Sequence, residues 1–472
     1  MPAAASSPPA VRLTPPTTGP LRPRPVPIDP RVRRFRQQLG LPTDHAIVMA
    51  GHQAGLWHPG ILSKRFAIEA IAAQQGDQQG EQQGEQHRAQ PAWLVVDQDD
   101  NDPGEIAFPT KTDGRWRRVS TTLRPKRDRP PPGTPTGGAP AFKPRPVERL
   151  EPTTETGVRH ALFAAHDALA AHADAPTAAQ QAARAVDDLL GDRMPCVTAT
   201  ELSETELFRS VVADIADQPD SCRDAFNHAV SQHPRSGLRP LREGELPLWR
   251  VADTGPRRSA NTRDDVGGNH ADTGVLPRGI LMTLLARLAG CDLFLHGTGG
   301  LAYEPAADAW LELWRPASLE GITPAPFAGI TADLRLPLSP EGVPTAADAA
   351  RAHWLAHASA HSPALLGDDD AEQEKQRLLK EIGSLPRRHP GRAAAYVALH
   401  ELLAATRHNH DAELQAVRDR AERMHDAYRD RDVLSARDWP FVFYSTEALG
   451  GLRAAVEAMV EAAVRSHTED AS

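Results

Sequence analysis

The sequence is poor in cysteine and has no long apolar run. Its three cysteines, Cys196, Cys222 and Cys291, lie far apart and form no CxxC pair. This spacing excludes a disulfide framework and a cysteine-rich zinc module. No apolar run approaches the ~20 residues of a membrane-spanning helix, and the N-terminus lacks the apolar segment of a signal peptide. We therefore expect a cytoplasmic protein that does not bind membranes.

The chain also lacks an excess of positive charge. Of its 472 residues, 53 are Lys or Arg and 62 are Asp or Glu, which gives a net charge of −9. This balance argues against a dedicated nucleic-acid-binding protein, so a small-molecule substrate is the expected partner. Aromatic residues make up only 5%, but the hydrophobic fraction of 40% is enough to build a core in a chain of this length.

The distribution of proline, glutamine and alanine predicts how the chain is divided. Proline-rich and Gln/Gly-rich segments cannot bury enough apolar surface to fold by themselves, whereas Ala/Leu-rich charged segments favour long helices. The predicted parts are a disordered N-terminus (1–40), a core (41–345) with disordered low-complexity insertions (74–89 and 123–154), a coiled-coil-like helical arm (346–436) and a C-terminal helix that returns to the core (437–472). The arm is a candidate surface for a homodimer.

The segment 46–62, AIVMAGHQAGLWHPGIL, contains the clearest functional signal. Its apolar beginning predicts a buried strand, its glycines predict a loop, and helical spacing follows from Ile61. A strand, a glycine-bearing loop and a helix start together direct backbone N–H groups and the helix dipole toward an anion. His52 is a catalytic candidate because histidine titrates near neutral pH. The substrate-binding candidates are Gly51, Gln53, Gly55 and Lys64, although the glycines could equally serve the turn.

A second segment, 91–105, ends a predicted strand with an acidic cluster. Trp93 to Val96 predicts a buried strand, and PAWLVVDQDDNDPGE places five carboxylates just after it. Three interpretations are open: a Mg²⁺ site, a general base, or a solvated acidic turn. Asp99 and Asp102 are the catalytic candidates, Asn101 is a substrate-binding candidate, and Asp97, Asp99 and Asp102 are the candidate metal ligands.

A third segment repeats the strand, glycine loop and helix pattern. CDLFL at 291–295 predicts a compact strand that runs directly into HGTGG. Glycines at this point allow a ligand to approach the backbone closely, and His296 is a catalytic candidate. The substrate-binding candidates of this segment are Gly297, Gly299, Gly300, Tyr303 and Glu304.

Alternation of strand and helix patterns predicts an α/β fold with a mostly parallel sheet flanked by helices. The carboxyl ends of parallel strands meet at one edge, where binding sites of such sheets lie. We therefore expect the three segments to form one cleft at this edge, lined by His52, Gln53, Asp99, Asp102, His296 and Gly299.

Three segments together resemble one enzyme family. GHQAGLWHPGIL, WLVVDQDDND followed by Glu105, and HGTGGLAY are similar to the signature segments of the cysteine-adding enzyme of bacillithiol biosynthesis. The resemblance covers roughly residues 41–465 and is thin between the motifs. It implies a Rossmann-like core of the nucleotidylyltransferase type with a helical coiled-coil arm near the C-terminus. It also implies that His52, Asp99 and Asp102 occupy functional positions.

The sequence departs from the family pattern at three positions. His52 stands where the family has Gln, Asn101 stands where the acidic cluster has His, and Gly300 stands where the late loop has Glu. Two functions are therefore open. One is a ligase-like enzyme that adds cysteine or another amino acid to a small amine or sugar-conjugate acceptor, with ATP or ADP and Mg²⁺ as candidate cofactors. The other is a non-catalytic relative that binds a small molecule or nucleotide.

Overall fold

The computed structural model describes residues 9–17, 19–77, 89–150, 155–252, 256–261, 273–339 and 342–469. Its strands are β1 (Ala10–Thr14), β2 (Ile47–Gln53), β3 (Gln90–Val96), β4 (Glu105–Thr112), β5 (Arg115–Thr122), β6 (Cys196–Thr198), β7 (Leu248–Ala252), β8 (Arg258–Ser259), β9 (Thr273–Pro277), β10 (Leu293–His296) and β11 (Phe327–Asp333).

The helices flank these strands along the chain. They are α1 (Pro30–Gln38), α2 (Pro59–Asp77), α3 (Thr156–Ala171), α4 (Ala178–Leu190), α5 (Ala199–Ser203), α6 (Glu206–Asp217), α7 (Pro219–Gln232), α8 (Gly279–Leu285), α9 (Thr298–Trp314), α10 (Ala346–Ser359), α11 (Asp369–Ser384), α12 (Pro390–Asn409), α13 (Asp411–Arg429), α14 (Arg431–Leu434) and α15 (Thr446–Glu469).

The predicted α/β fold with a mostly parallel sheet is confirmed. Six strands pair in the order β1-β11-β10-β2-β3-β6, and only β1 runs antiparallel to its neighbour. Strand order reverses between β2 and β10, because the chain first adds β3 and β6 on one side of β2 and later adds β10 and β11 on the other. This reversal opens a crevice at the carboxyl ends of the two strands.

Burial on both faces explains why the central strands are continuously apolar. Ile47 and Met49 face one hydrophobic cluster together with Phe294, while the alternate residues Val48 and Ala50 are also buried. Helix α2 packs against β2, β3 and β11. Strands covered on both faces favour unbroken runs of Val, Ile and Leu, as in these segments.

Glycine 51 lets β2 continue into what the sequence predicted as a loop. The pairing of β2 with β3 extends to His52 and Gln53, which lie beside Val95 and Val96. A Cβ on Gly51 would stand only 2.6 Å from the carbonyl oxygen of Leu94, so no larger residue fits at this pairing. His52 and Gln53 are therefore strand residues with fixed backbone positions.

The prediction of disorder at 1–40 is wrong for two segments. Residues 10–14 form β1, which pairs with β11, and residues 30–38 form α1. Most residues of α1 are polar, but its apolar residues Val32 and Phe35 are buried in the core. Composition missed both elements because each is stabilised by tertiary pairing.

The predicted disorder of 123–154 is also wrong for the described residues 123–150. This segment contributes Leu123 and Phe142 to a hydrophobic cluster with α3 and α4. The buried amide of Gln181 fastens it, because Gln181 donates to the carbonyl of Phe142 at 2.7 Å and accepts from its N–H at 3.0 Å. Residues 78–88 of the other insertion lie outside the described part of the chain.

The chain divides into two compact units. The larger comprises residues 7–110, 118–334 and 437–472, and contains the six-stranded sheet. Of the described residues, the smaller comprises 111–117, 335–339 and 342–436. In the smaller unit α10 packs against α13, and α11 packs against α12. No helix among the described residues is long and apolar enough to cross a membrane.

A buried ion pair fastens α1 to the start of β10. Both Asp292 oxygens lie 2.9 Å from Arg36 Nη2, and both side chains are buried. Asp292 also accepts the backbone N–H of Ile47 at 2.9 Å. One carboxylate therefore joins the N-terminal helix to two adjacent strands of the sheet.

Removing this carboxylate should destabilise the fold strongly. We expect Asp292→Asn to lower the free energy of unfolding by about 3–5 kcal/mol, because the Arg36 charge is left buried without a counter-ion. Denaturant unfolding measures the change. The exposed pair Arg34–Glu206 provides the control, since Glu206→Gln should cost less than about 1 kcal/mol. Equal losses in both variants would contradict the expectation.

Candidate active site

A cleft of about 460 Å³ lies at the carboxyl ends of β2, β3 and β10, at the reversal of strand order. We call it the central cleft. It is lined by Gly51, His52, Gln53, His58, Gly60, Ile61, Lys64, Val96, Gln98, Asp99, Leu238, Trp249, Gly279, Ile280, Met282, His296, Gly297, Thr298, Gly299, Gly300, Tyr303, Thr331 and Arg437.

Most of the residues predicted from the sequence meet in this cleft. The parallel pairing of Leu295 with Ala50 places the ends of β10 and β2 side by side. The candidates brought together are Gly51, His52, Gln53, Lys64, Asp99, His296, Gly297, Gly299, Gly300 and Tyr303. Among the described residues, the central cleft thus combines side chains of segments 46–62 and 291–304 with Asp99 of the acidic cluster.

Asp102 does not line the central cleft, so its prediction as a base there is wrong. Its carboxylate closes a turn instead, accepting the N–H of Gly104 at 3.0 Å and the hydroxyl of Thr122 at 2.6 Å. Asp102 and Asn101 line a separate cavity of about 660 Å³. Asn101 donates to the carbonyl of Ala54 at 2.6 Å. The chain turns away from the sheet edge after Asp99. The side chains of Asn101 and Asp102 therefore line the other cavity.

Asp97 has a structural role. Its Oδ1 accepts the backbone N–H of Thr200 at 2.9 Å, and Gly137 packs so closely that a Cβ there would lie 2.3 Å from Asp97 Oδ2. Burial raises the pKa of Asp97 to about 6. Within the described residues, no group of three or more His, Cys, Asp or Glu side chains is placed to hold a metal ion. The candidate ligands Asp97, Asp99 and Asp102 do not converge.

Gly55 and Glu304 also lie outside the lining of the central cleft. Gly55 has φ of +153°, so it serves the backbone turn that leads from β2 to α2. Glu304 is fully buried, which contradicts its prediction as a substrate contact. It lies behind His296 rather than in the cleft.

Lys64 is a buried cation at the floor of the central cleft. Its ammonium donates a hydrogen bond to the carbonyl oxygen of Gly51 and lies 5.4 Å from the ring centre of Trp93. Among the described residues, no carboxylate forms an ion pair with it. Burial accordingly lowers the pKa of Lys64 to about 7. An ammonium in this position lacks the counter-charge that buried cations require.

Two histidines line the cleft beside Lys64. Burial, reinforced by the Lys64 charge, lowers the pKa of His52 to about 3, so this ring is neutral at pH 7. Its Nδ1 is buried and has no hydrogen-bond partner. His58 accepts the N–H of Gly60 through Nδ1 at 3.1 Å, and burial lowers its pKa as well. His58 also lines the cleft, although it is not among the candidates predicted from the sequence. Its position in the loop after β2 does not show which way the side chain points.

His296 ends β10 with its ring held on several sides. Its Nε2 lies 2.8 Å from Glu304 Oε1, and Tyr303 packs edge-on with ring centres 5.6 Å apart. Burial lowers the pKa of His296, although Glu304 opposes the shift. Gly300 is required here, because a Cβ would lie 2.0 Å from His296 Nδ1. The glycine that departs from the resembled family's Glu therefore makes room for this ring.

Asp99 holds the wall of the cleft together. Its Oδ2 accepts a hydrogen bond from Gln53 Nε2 at 2.8 Å, and its Oδ1 accepts from Arg257 Nη1 at 2.7 Å. The Arg257 guanidinium lies 4.8 Å from the ring centre of Trp249. Sequence analysis missed Arg257, because nothing in the sequence links it to a residue 158 positions away. Both oxygens of Asp99 already accept hydrogen bonds. Asp99 is therefore suited to position Gln53 and Arg257 rather than to accept a proton.

Two longer helices begin at the cleft. Gly60 and Ile61 belong to the first turn of α2, and Thr298 to Gly300 belong to the first turn of α9. The first N–H groups of a helix have no partner within the helix and carry the positive end of its dipole. Together with Lys64, these helix starts make one end of the cleft electropositive.

Comparison with known proteins adds no relative: no model of a protein family matches the chain, and no curated protein matches it.

The unpaired state of Lys64 predicts a specific pH dependence of stability. Because burial lowers its pKa from 10.5 to about 7, the unfolded chain binds this proton more tightly than the folded chain between those pH values. Relative to Lys64→Met, the wild-type free energy of unfolding should therefore rise by about 1.4 kcal/mol per pH unit across that window. Below pH 7 the difference between the two proteins should stay constant.

Denaturant unfolding at several pH values tests this prediction. The exposed Lys143 offers the matched control, since Lys143→Met should differ from wild type by the same amount at every pH. A Lys64→Met profile parallel to the Lys143→Met profile would refute the assignment of Lys64 as a buried cation without a counter-ion.

Proposed function

We propose that the chain is a ligase-type cytoplasmic enzyme that joins cysteine or another amino acid to a small amine or sugar-conjugate acceptor. The observation that carries this proposal is the buried ammonium of Lys64 in the central cleft, which no carboxylate of the described residues neutralises. A carboxylate or phosphate group of the substrate would supply the missing charge. The starts of α2 and α9 add N–H donors for the same group.

We further propose that the core is Rossmann-like, as the resemblance to the bacillithiol cysteine-adding enzyme implies. The parallel strands support this proposal. Numbered by their order in the chain, β6, β3, β2, β10 and β11 follow the order 3-2-1-4-5, which is that of dinucleotide-binding folds. The helix pairs α10–α13 and α11–α12 support a coiled-coil-like arm, for which we propose a role in homodimer formation.

In the proposed reaction, the amine of the acceptor attacks the carboxyl carbon of the amino acid. A C–N bond forms, the amine loses a proton to a base, and the carboxyl oxygen departs with phosphate where ATP has activated it. His296 is the preferred base because it is neutral, lines the cleft and has a firmly held ring. Proton transfer by a positioned histidine typically contributes about 10²–10⁴-fold to a rate. Lys64 and the helix starts would stabilise the negative charge of the acceptor or of a leaving phosphate. Neutral His52 would contribute a hydrogen bond to the substrate.

The alternative function is binding without catalysis. One observation favours it: Asp99 is the carboxylate of the described cleft lining, and both of its oxygens are occupied by Gln53 and Arg257. A relative that had lost its acidic base could still hold an anionic small molecule or a nucleotide with Lys64. The two functions therefore differ in turnover but share the anion-binding end of the cleft.

Turnover by purified protein distinguishes the two functions. The protein is incubated with a sugar–malate conjugate and each amino acid in turn, with and without ATP and Mg²⁺, and products are followed by mass spectrometry. We expect one amino acid to give a condensed product, His296→Gln to lower kcat by about 10²-fold or more, and Lys64→Met to weaken binding of the anionic acceptor about 10-fold or more. Lys143→Met is the control and should behave as wild type.

Thermal-shift measurements with the same compounds complete the test. If the acceptor or a nucleotide stabilises the wild type and not Lys64→Met, while no amino acid yields product, the binding-only function replaces the enzymatic one. If Lys64→Met and wild type respond equally to every anion, the central cleft is not the anion site and the proposal fails.

A further inference from the structure

Four apolar side chains line one side of the central cleft, and we call them the apolar wall. Val96 ends β3, Leu238 lies in the loop before β7, and Ile280 and Met282 belong to α8. Ile280 and Met282 are members of the hydrophobic cluster that contains Met49, and Val96 and Leu238 pack against that cluster. The apolar wall is therefore the margin of this core at the cleft.

The apolar wall and Lys64 reach the cleft from opposite faces of the sheet. Side chains of a strand alternate between its two faces. On β3, Leu94 and Val96 face the cluster of the apolar wall, so Trp93 faces the other side. The Lys64 ammonium lies 5.4 Å from the ring centre of Trp93, which places it on that other side. A ligand that touches both must cross the carboxyl ends of the strands.

The two strand histidines follow the same division. Phe294 belongs to the cluster of the apolar wall, and the ring centre of His296, two residues on, lies 4.6 Å from that of Phe294. His52 alternates with the cluster residue Met49 and faces the side of Lys64, whose charge adds to burial in lowering the pKa of His52. The cleft thus has a polar end with Lys64 and His52, and an apolar end beside His296.

We propose that the substrate whose carboxylate or phosphate binds at Lys64 also carries an uncharged apolar group, which packs against the apolar wall. This inference rests on the proposed function, in which that substrate is the amino acid, and it narrows the amino acid to one with an apolar side chain, such as leucine or methionine. Both ends line one cleft of about 460 Å³, a volume typical of sites for small molecules. Burial of apolar surface at the wall would add affinity to the contact with Lys64.

Charged and polar side chains fit the apolar wall poorly. Asp99 is the carboxylate of the described cleft lining, and its oxygens already accept hydrogen bonds from Gln53 and Arg257. A basic side chain would therefore find no unoccupied counter-charge. An acidic or amide side chain would lose its water against the wall without gaining a hydrogen bond from it. The wall thus selects by excluding polar groups as well as by contact with apolar ones.

Binding of simple carboxylates tests the inference without turnover. The probes are acetate, butanoate and hexanoate, with hexan-1-ol as the probe that lacks the anion, and their affinities are measured by NMR titration. Each added methylene should strengthen binding by the wild type about 3–4-fold until the wall is covered. Lys64→Met should weaken all three carboxylates about 10-fold or more, because it removes the charge that they share as a partner.

Val96→Thr keeps the shape of the side chain and adds a hydroxyl to the apolar wall. This variant should weaken the binding of hexanoate about 5-fold or more and leave that of acetate unchanged, because only the longer chain covers the hydroxyl. Val212→Thr is the matched control. Val212 is half-buried against the same hydrophobic cluster but does not line the cleft, so this variant should bind every probe as the wild type does.

The outcomes separate this inference from the proposed function. Equal affinity of the wild type for the three carboxylates would overturn the inference and keep the anion site, as would equal losses in Val96→Thr and Val212→Thr. If hexan-1-ol binds as tightly as hexanoate and Lys64→Met changes neither, the apolar specificity stands and the proposed function fails. Binding of no probe would overturn both.

Where turnover is found, the amino-acid preference gives a second test. We expect kcat/KM to be higher for leucine or methionine than for serine, aspartate and lysine, and Val96→Thr to reduce that preference. A preference for serine, aspartate or lysine would contradict the inference and leave the ligase-type function in place.

Discussion

The parallel pairing of β2 with β10 is the constraint on which the rest of the site depends. These two strands are separated by more than two hundred residues in the chain, yet Ala50 lies beside Leu295 in the middle of the sheet. Both strands are followed by a glycine-bearing segment and a helix, so their pairing brings two helix starts to one crevice. Because strand order reverses at this point, the crevice lies between the connections that follow the two strands, where such sheets bind ligands.

Buried cations of the larger unit differ in whether a carboxylate pairs with them. Arg36 with Asp292, and Arg287 with Glu304, are buried cations that have carboxylate partners. Lys64 is buried at the cleft without such a partner among the described residues. Lys64 thus differs from these two buried cations, and an unpaired buried ammonium weakens a protein unless a ligand supplies the counter-charge.

The structure also changes which side chains are candidates for chemistry. The acidic cluster after β3 is the most conspicuous chemical feature of the sequence, but its members are used for turns and wall contacts: Asp97 with Thr200, Asp99 with Arg257, and Asp102 with Thr122. His296 takes over the candidate role of base, because it lines the cleft and burial keeps its ring neutral. Glu304 lies buried beside His296 and outside the lining of the cleft.

Local patterns in the sequence determined the elements of this site. Apolar runs predicted β2, β3 and β10, and the parallel topology predicted that His52, Gln53, Asp99 and His296 share one edge. These features depend on residues near one another in the chain, where periodicity and steric limits act directly.

Only the tertiary structure decided which of these groups are paired and which are free. Asp99 is neutralised by Arg257, α1 is fixed by Asp292, and the loop after residue 123 is fastened by Gln181. Each of these partners is distant in sequence and ordinary in type, so no local pattern identifies it. The free energy of a charged or polar group depends on burial and on its neighbours in space, and both arise only when the chain is folded.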